Sequence, residues 1–266
     1  MNIFNDKNYT SNGVKIIFKQ ILKYYLKIIT KLVLLINRPL IISVTGSTNE
    51  FFSRNEIKRQ LEKLNYEIRT NPKNFNTEIG LPLAILNLPS GYSSYKNWLP
   101  IILQAFTSLF KSKFPKILIL ELGIDRPGDM KYLMSLVKPK IAVITDITQR
   151  YIESFNDMNE LVGEYKNFVE VINKDSYLVL NFDNPRIKKL KEYTKAKIIP
   201  FGLKKNSMTP NNFWLGELIK RTATGQIINV TDEQETKEYT IDRFGEHHIY
   251  ALLIGLIVKK IIIKLK

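Results

Sequence analysis

The segment from Val14 to Asn37 has the most regular pattern of apolar and charged positions in the chain. A lysine recurs at every fourth residue, and nearly every residue between the lysines is Ile, Leu, Val, Phe or Tyr. On a helix this spacing turns the lysine row by roughly 40° at each step, so the lysines form a bounded polar arc beside an apolar remainder. The pattern predicts an amphipathic basic helix that ends at Arg38-Pro39, because the residue before a proline disfavours helix. The lysines are Lys15, Lys19, Lys23, Lys27 and Lys31.

Two interpretations of this helix stay open. In one, it lies in the plane of an anionic lipid surface, with Tyr24 and Tyr25 near the boundary. In the other, its apolar face packs on its own domain or on a partner, and amphipathicity alone does not separate the two. Residues 1–13 are polar and lack periodicity, which predicts a loose tail.

Beyond Pro39, short β-branched runs alternate with segments of helical periodicity. Continuous apolar runs of this length are expected when a parallel sheet is covered by helices on both faces, so the alternation predicts a three-layer α/β domain. Ser53 and Glu56 are spaced as a capping box at the start of the first helix. The predicted strands are 40–46, 66–70, 116–123, 140–147, 177–183 and 196–202, and the predicted helices are 53–65, 78–88, 97–113, 128–138, 157–173 and 185–194.

After Gly202 the pattern changes to short β-like runs with a Thr224-Gly225 turn. This predicts a small antiparallel β extension over about 203–243, with strands near 213–221, 225–231 and 236–242, and a final helix over 247–265. We therefore expect two units, namely a tail and basic helix over 1–38 and a main domain over 39–266.

Composition restricts the class of protein. The chain has 266 residues, of which 44% are hydrophobic and 24% charged, and this is globular composition. The absence of cysteine excludes disulfides, thiolate metal sites and a cysteine nucleophile, and it fits a reducing compartment, so we expect a cytoplasmic protein. No stretch of 18 residues is free of charge and no signal-peptide layout is present, so we expect neither a spanning helix nor export.

The formal net charge of +15 predicts attraction to anionic partners such as nucleotide phosphates, nucleic acid or an anionic membrane surface. It does not choose among them. Lysines occur along the whole chain, so only clustering on one face would identify a binding surface.

A phosphate-binding loop is predicted in the run IISVTGSTNEFFS at 41–53. A hydrophobic strand ends in Thr45-Gly46 and a helix follows, so backbone N–H groups and a helix N-terminus can hold a phosphate there. Alone, this pattern has low specificity.

Further segments, in the same order, resemble the Mur ligases, and most of all those of the MurF type. NFNTEIGLPLAILNL at 74–88 is similar to their Asn-x-Asn-(Asn/Thr)-Glu-Ile-Gly-x-Pro block. ELGIDRPGDMKYL at 121–133 resembles the Glu-x-Gly block followed by Pro-Gly-(Glu/Asp). The remaining blocks are VKPKIAVITDITQRYIESF at 137–155, NFDNP at 181–185 and FGEHHIYALL at 244–253.

The resemblance implies the middle, ATP-binding domain of a three-domain enzyme, with a sheet of the P-loop NTPase type. These ligases join an amino acid or dipeptide to a nucleotide-linked muramyl peptide in peptidoglycan precursor synthesis. ATP phosphorylates a carboxylate and an amine attacks the acyl phosphate, while metal ions offset the developing charge. Implied cofactors are ATP and Mg²⁺, and implied partners are a UDP-muramyl peptide and separate chains that supply the missing domains.

The phosphate loop departs from the family pattern Thr-Gly-(Ser/Thr)-x-Gly-Lys-(Ser/Thr). Glu50 replaces the lysine that contacts the β- and γ-phosphates, and Phe51 replaces the hydroxyl that binds Mg²⁺. We therefore do not expect ATP binding of the usual kind. The loop positions assigned to the cofactor are Thr45, Gly46, Ser47, Thr48, Asn49, Glu50 and Phe51.

The resemblance assigns five further positions. Glu121, at a strand end where ligands bind in parallel sheets, is the metal-facing acid. Tyr151 stands where the family has a histidine for a second metal, and a neutral tyrosine is a poor ligand. Lys166 and Asn76 are the catalytic candidates, and His248 is assigned to the cofactor. Adjacent His247 and His248 do not predict zinc, because neighbouring helix positions point in different directions.

Structural roles remain open for the retained residues. Gly46 and Gly80 could each serve a tight turn, Pro82 a helix start, and Asn181 and Asp183 the hydrogen bonds of a loop.

Three functional hypotheses are compatible with the sequence. The first is a catalytically degenerate or accessory Mur ligase homologue, placed near the inner face of the cell membrane through residues 14–37. The second is an active ligase with a rearranged or partner-completed ATP site. The third, which rests on charge alone, is a nucleic-acid-binding protein without sequence specificity.

Overall fold

A single twisted sheet runs through the computed structural model, which describes residues 12–72, 74–92, 94–150, 152–205 and 209–265. Within these residues it has nine strands in the order β2-β3-β1-β4-β5-β6-β7-β8-β9. Neighbours from β2 to β7 are parallel, whereas β7, β8 and β9 pair antiparallel. The strands are β1 (Leu40–Thr45), β2 (Ile68–Thr70), β3 (Ile117–Glu121), β4 (Ile141–Ile144), β5 (Tyr177–Asn181), β6 (Lys197–Gly202), β7 (Trp214–Arg221), β8 (Gln226–Thr231) and β9 (Thr236–Ile241).

The predicted helices are present with slightly different ends. They are α1 (Asn12–Asn37), α2 (Glu50–Glu62), α3 (Gly80–Leu86), α4 (Tyr95–Thr107), α5 (Asp129–Leu136), α6 (Met158–Glu170), α7 (Pro185–Lys189) and α8 (Glu246–Lys264). Short 3₁₀ turns extend α4 over Ser108–Phe110 and α7 over Leu190–Tyr193, and another covers Ile152–Ser154. The α/β class with a mostly parallel sheet is therefore confirmed. None of the helices in the described ranges is long and apolar enough to span a membrane.

The apolar strands bury side chains on both faces of the sheet because successive residues point in opposite directions. Ile41 of β1 packs into a core with α3, α5 and α6, while its neighbour Ile42 packs into a second core with α2 and α8. Both isoleucines are buried. This arrangement explains why the strands are apolar throughout rather than alternating.

Helix α3 is apolar all round because it lies between two layers. Leu81 and Ile85 face the sheet, whereas Leu83 and Leu86 face outward into a third core. Helices α1 and α4 close this third core, with Leu26 of α1 fully buried in it. The chain thus adds a partial fourth layer to the predicted three.

Helix α1 packs on its own domain through one face, and it ends at the predicted place. The Tyr25 hydroxyl donates to the Ile102 carbonyl of α4 at 2.8 Å. The Lys19 ammonium lies 2.8 Å from Glu78. Lys23 and Lys27 lie over the ring of Tyr132 of α5. The lysine arc therefore points partly toward the domain, and an apolar stripe of α1 remains exposed beside it.

The predicted capping box at Ser53 and Glu56 is wrong. Helix α2 begins earlier, at Glu50, after Asn49 in the left-handed conformation with φ 69°. Ser53 is consequently inside the helix and buried, and its hydroxyl has no hydrogen-bond partner. The left-handed turn at Asn49 lets the helix start directly after the loop, which spacing alone does not reveal.

Leu26→Ala should lower the free energy of unfolding by about 2–5 kcal/mol, because it removes a fully buried side chain from the third core. Ile28→Ala, two residues along the same helix but 58% exposed, is the matched control and should change it by no more than about 0.5 kcal/mol. Urea denaturation of both variants measures the difference. Equal effects would contradict the packing of α1 described above.

Candidate functional site

A cavity of about 510 Å³ opens at the carboxyl ends of β1 and β3. Ligands bind at this edge in open parallel α/β sheets. The loop after β1 and the first residues of α2 form one wall, from Gly46 to Phe52. Asn76, Glu121 and Arg150 lie on the other walls. The sequence-predicted loop and the predicted Asn76 and Glu121 are thus brought together.

The start of the loop is fixed by close packing against the end of β4. A Cβ atom on Gly46 would lie 2.0 Å from the Thr145 hydroxyl, so only glycine fits there. The Thr45 hydroxyl donates to the Leu122 carbonyl at 2.9 Å. The backbone N–H of Ser47 donates to the Asp146 carbonyl at 2.8 Å. This N–H is therefore already engaged within the protein.

Side chains of the loop continue this anchoring. The Ser47 hydroxyl accepts from the Thr148 N–H at 3.1 Å. The Thr48 hydroxyl donates to the Asp146 carboxylate at 3.5 Å, and the Asn49 amide donates to the Thr48 hydroxyl at 3.4 Å. The loop is consequently held by its own contacts.

The segment NFDNP at 181–185 forms hydrogen bonds to the residues that anchor the loop. The Asn181 amide donates to the Thr145 carbonyl at 3.0 Å, and the Asn184 amide donates to the Asp146 carboxylate. Asp183 accepts from the Tyr250 hydroxyl of α8 at 2.8 Å. The structural role open for Asn181 and Asp183 is therefore confirmed.

Glu50 places a carboxyl group at the start of α2, where the family resemblance implies a lysine. Burial raises the pKa of this half-buried group to about 7, although a hydrogen bond from its own backbone N–H opposes the shift. The negative charges of Glu121 and Asp146 raise its pKa further, and Arg150 lowers it. An N–H at the start of α2 thus binds the protein's own carboxyl group.

Phe51 contributes an aromatic ring instead of a metal-binding hydroxyl. Its side chain is half exposed, and the Arg54 guanidinium lies 5.3 Å from the ring centroid. The adjacent Phe52 packs against His247 and His248, with ring centroids 4.8 and 5.0 Å away. His248 lines a neighbouring cavity of about 300 Å³ rather than the loop cavity. Burial, followed by the charge of His247, lowers the pKa of His248.

Glu121 has both carboxylate oxygens engaged by protein donors. Arg54 donates to one oxygen at 3.1 Å and Asn76 donates to the other at 3.1 Å. Arg54, only 4% exposed, also donates to the Asn71 carbonyl at 2.8 Å. The side-chain amide of Asn71 donates to the backbone carbonyl of Glu121, and the side-chain oxygen of Asn71 accepts from the backbone N–H of Glu121. Burial lowers the pKa of Arg54 and the charge of Glu121 opposes that effect.

These residues do not fit a magnesium ion held in the usual way. A hard cation needs oxygen ligands, yet a guanidinium and an amide already engage the oxygens of Glu121, and Phe51 offers no oxygen. Within the described ranges, no group of three or more His, Asp or Glu residues could hold a metal. The position of Arg54 therefore supplies a positive charge where the family resemblance implies a metal.

Like His248, the predicted catalytic residue Lys166 does not line the loop cavity. The Lys166 ammonium is exposed, lies 3.8 Å from Glu170 and stacks on the ring of Tyr193 at 4.2 Å. Its catalytic role stays a prediction, and its contacts do not support it. Tyr151 lies outside the described residues.

Sequence reasoning missed Arg54 and Arg150. Arg54 stands one helical turn after Glu50, so a helix that begins at the loop places it on the cavity side of α2. Arg150 follows β4, whose carboxyl end borders the loop. The rule that ligand-facing residues follow strand ends would have identified Arg150 as a candidate.

The comparisons with known proteins agree with one another. The family described as Mur ligase middle domain matches residues 43–259. A UDP-N-acetylmuramoyl-tripeptide--D-alanyl-D-alanine ligase of Buchnera aphidicola is 29% identical over 175 residues, which are 63% of this chain and 31% of that protein. The corresponding Bacillus subtilis ligase is 24% identical over 145 residues, 54% of this chain and 26% of that protein.

Solved structures show the same fold. MurF ligase from Thermotoga maritima, in complex with ADP, superposes with a TM-score of 0.71 at 19% identity, over 90% of this chain and 49% of that one. MurF from Acinetobacter baumannii gives 0.69 at 16% identity, over 88% and 45%. The chain thus spans about a third or less of these two curated relatives and less than half of these two structures.

Glu50→Gln should stabilise the protein more at pH 8 than at pH 5. Because the folded pKa of Glu50 is raised to about 7 from 4.5, its favourable contribution is present below pH 4.5 and is lost as the pH rises through 7. Glutamine stays neutral throughout and avoids that loss. Urea denaturation at both pH values tests this, with Glu62→Gln at the exposed end of α2 as the control. A pH-independent difference for Glu50→Gln would refute the raised pKa.

The Arg54–Glu121 pair should show a coupling energy of about 1–3 kcal/mol in a double-mutant cycle of Arg54→Met and Glu121→Gln, because the pair is largely buried. The exposed Lys58–Glu62 pair on the same helix is the control, and its coupling should not exceed about 0.5 kcal/mol. Free energies of unfolding provide both values. Equal couplings would mean that Arg54 is not held by Glu121.

Proposed function

The chain belongs to the Mur ligase family, whose middle domain it contains, and on this premise we propose that it is an accessory homologue with a degenerate ATP site. Its relatives are ligases of peptidoglycan precursors by name. In this proposal the chain has an accessory role in peptidoglycan precursor synthesis. It does not itself activate a carboxylate with ATP·Mg²⁺ in the usual way.

The observation that carries this proposal is the buried contact between Arg54 and Glu121. For Glu121 to bind a metal, it would have to release Arg54, which is 4% exposed and would be left as a buried, unpaired charge. Removing one partner of a buried pair costs about 3–5 kcal/mol, so the ion pair competes strongly with a metal.

Glu50 supports the same conclusion through electrostatics. Two unit charges about 4 Å apart interact by about 4 kcal/mol at an effective dielectric near 20. A carboxylate in place of a lysine therefore turns a large attraction to a polyphosphate into repulsion, whenever Glu50 is ionised. With a pKa raised to about 7, Glu50 gains this charge, and with it the repulsion, as the pH rises through the neutral range.

The partners of the proposed accessory protein are a nucleotide or UDP-muramyl peptide bound without group transfer, and separate chains that supply the other ligase domains. The proposed location is the cytoplasm, with peripheral contact between residues 14–37 and the inner face of the cell membrane. The lysines of α1, of which Lys31 is exposed, motivate that contact.

An alternative is an active ligase whose ATP site is rearranged or completed by a partner. Arg150 favours it, since this cation lines the loop cavity and lies close enough to Glu50 to lower its pKa. Under this alternative Arg150 takes over the contact to the phosphates that the family assigns to a lysine. Glu121→Ala would then abolish phosphate release.

ATP binding to the purified chain, measured with Mg²⁺ by calorimetry, tests the proposal against a Glu50→Lys, Phe51→Thr double variant. We expect no affinity in the micromolar range for the natural sequence, and a gain of at least tenfold for the double variant, because a lost repulsion and a restored metal ligand both favour ATP. Glu62→Lys makes the same charge change at the far end of α2 and should give no such gain.

Micromolar ATP affinity with turnover in the natural sequence would overturn the proposal and favour the active ligase. An equal gain of ATP affinity in the Glu62→Lys control would mean that the added positive charge acts from anywhere on α2 and that the position of Glu50 is not specific.

A further inference from the structure

Helix α1 exposes a second apolar stripe, opposite the face that packs on the domain. Exposed side chains recur at intervals of three or four residues, which places them on one side of a helix. Leu26 and Val33, on the opposite side, are fully buried. The stripe consists of Ile17, Ile21, Tyr24, Ile28, Leu32 and Leu35, which are 42–65% exposed.

Helix α4 and the turn after it expose a similar stripe. The residues are Leu99, Leu103, Phe106 and Phe110, which are 51–75% exposed. Trp98, Ile101 and Ala105 on the other side of α4 are buried in the third core together with α1. The same helix therefore has an apolar face inside the protein and another outside.

The two stripes lie on neighbouring helices, because α1 and α4 are directly packed. They share the third core, and the Tyr25 hydroxyl binds the Ile102 carbonyl. The exposed residues of both stripes are called the α1/α4 surface below. Large exposed apolar areas mark interaction sites in soluble domains.

The segments that carry the α1/α4 surface contain charged residues of one sign only. Residues 12–37 contain five lysines and residues 90–116 contain four, and neither segment has an acidic residue. Lys31, Lys96, Lys111 and Lys113 are exposed. The chain as a whole has 25 acidic residues, so their absence from both segments concentrates positive charge here. The exposed lysines thus lie on the same two segments as the apolar stripes, whereas Lys19, Lys23 and Lys27 contact the domain.

We propose that the α1/α4 surface docks on an anionic lipid bilayer, with both apolar stripes in the interface and the lysines at the headgroups. Two apolar stripes with a rim of one charge match a lipid surface, which offers hydrocarbon beneath a layer of negative headgroups. The surface adds α4 to the membrane contact proposed above for residues 14–37. The docking proposal rests on the membrane contact in the proposed function and is independent of the nucleotide site. If either the docking or the degenerate ATP site is refuted, the other can still be tested.

Co-sedimentation with vesicles tests the docking. The natural chain should bind vesicles of phosphatidylcholine mixed with anionic phosphatidylglycerol and bind pure phosphatidylcholine vesicles at least tenfold more weakly, and high salt should weaken the former. Serine substitutions on either stripe should lower binding at least tenfold, because they remove apolar area from the interface. The variant pairs are Ile21→Ser with Ile28→Ser, and Leu103→Ser with Phe106→Ser. The matched control, exposed elsewhere, is Val171→Ser with Ile219→Ser.

The lysine contribution is measured separately. Each lysine near an anionic surface contributes about fivefold to the partition constant, so a triple glutamine variant should lose about a hundredfold. That variant combines Lys31→Gln, Lys96→Gln and Lys111→Gln. Its control, with the same loss of charge elsewhere on the surface, combines Lys191→Gln, Lys195→Gln and Lys204→Gln.

A site-specific probe detects contact without depending on loss of binding. Since the chain has no cysteine, Leu103→Cys can be labelled alone with a polarity-sensitive fluorophore. Its emission should shift to the blue on anionic vesicles, and the label on Ile219→Cys should not respond. Circular dichroism of each variant confirms that it is folded.

Absent binding by the natural chain, equal binding to neutral vesicles, or full binding by the α4 pair would each overturn the proposal. A dimer that these serine variants dissociate, seen by analytical ultracentrifugation without vesicle binding, would instead assign the surface to a second copy of the chain.

Discussion

The contact between Arg54 and Glu121 connects the parts of the candidate site. Arg54 belongs to the first turns of α2, Glu121 ends β3, and Asn71 and Asn76 come from the segment between β2 and α3. A buried guanidinium needs a negative partner, and a buried carboxylate needs donors, so each group requires the others in place. In this way electrostatic neutrality is reached inside the protein without a bound cation.

The fold of this chain agrees with that of the Mur ligases, whereas the residues of its candidate site differ from those that the family resemblance implies. The sheet edge, the glycine of the loop and the NFDNP contacts hold the loop in place at the end of β1. At Glu50 and Phe51 the cavity is lined by a carboxyl group and an aromatic ring, where the family resemblance implies a lysine and a hydroxyl. Function resides in the site rather than in the fold, and the family membership of this chain therefore leaves its present activity to be decided at that site.

Much of the architecture could be predicted from the sequence, because strands buried on both faces are apolar without interruption and helices keep their period. Loop geometry could not be predicted. Because Asn49 is left-handed, α2 begins at Glu50, three residues earlier than predicted, and in this helix Arg54 contacts Glu121. The side of α1 that packs inward was likewise ambiguous, since both of its faces are apolar and only the tertiary contacts of α3 and α4 select one. Exposed apolar residues on α4 followed a helical period and were indistinguishable from core positions in the sequence.

The position of α3 has a consequence for how the chain can be divided. Its seven residues are all buried, yet only one side of the helix rests on the sheet, and α1 and α4 shelter the other. Removal of the residues before Arg38 would expose Leu83 and Leu86 to water and would favour self-association of the shortened protein. The N-terminal helix, which resembles a detachable appendage in the sequence, is in physical terms part of the wall that keeps the domain soluble.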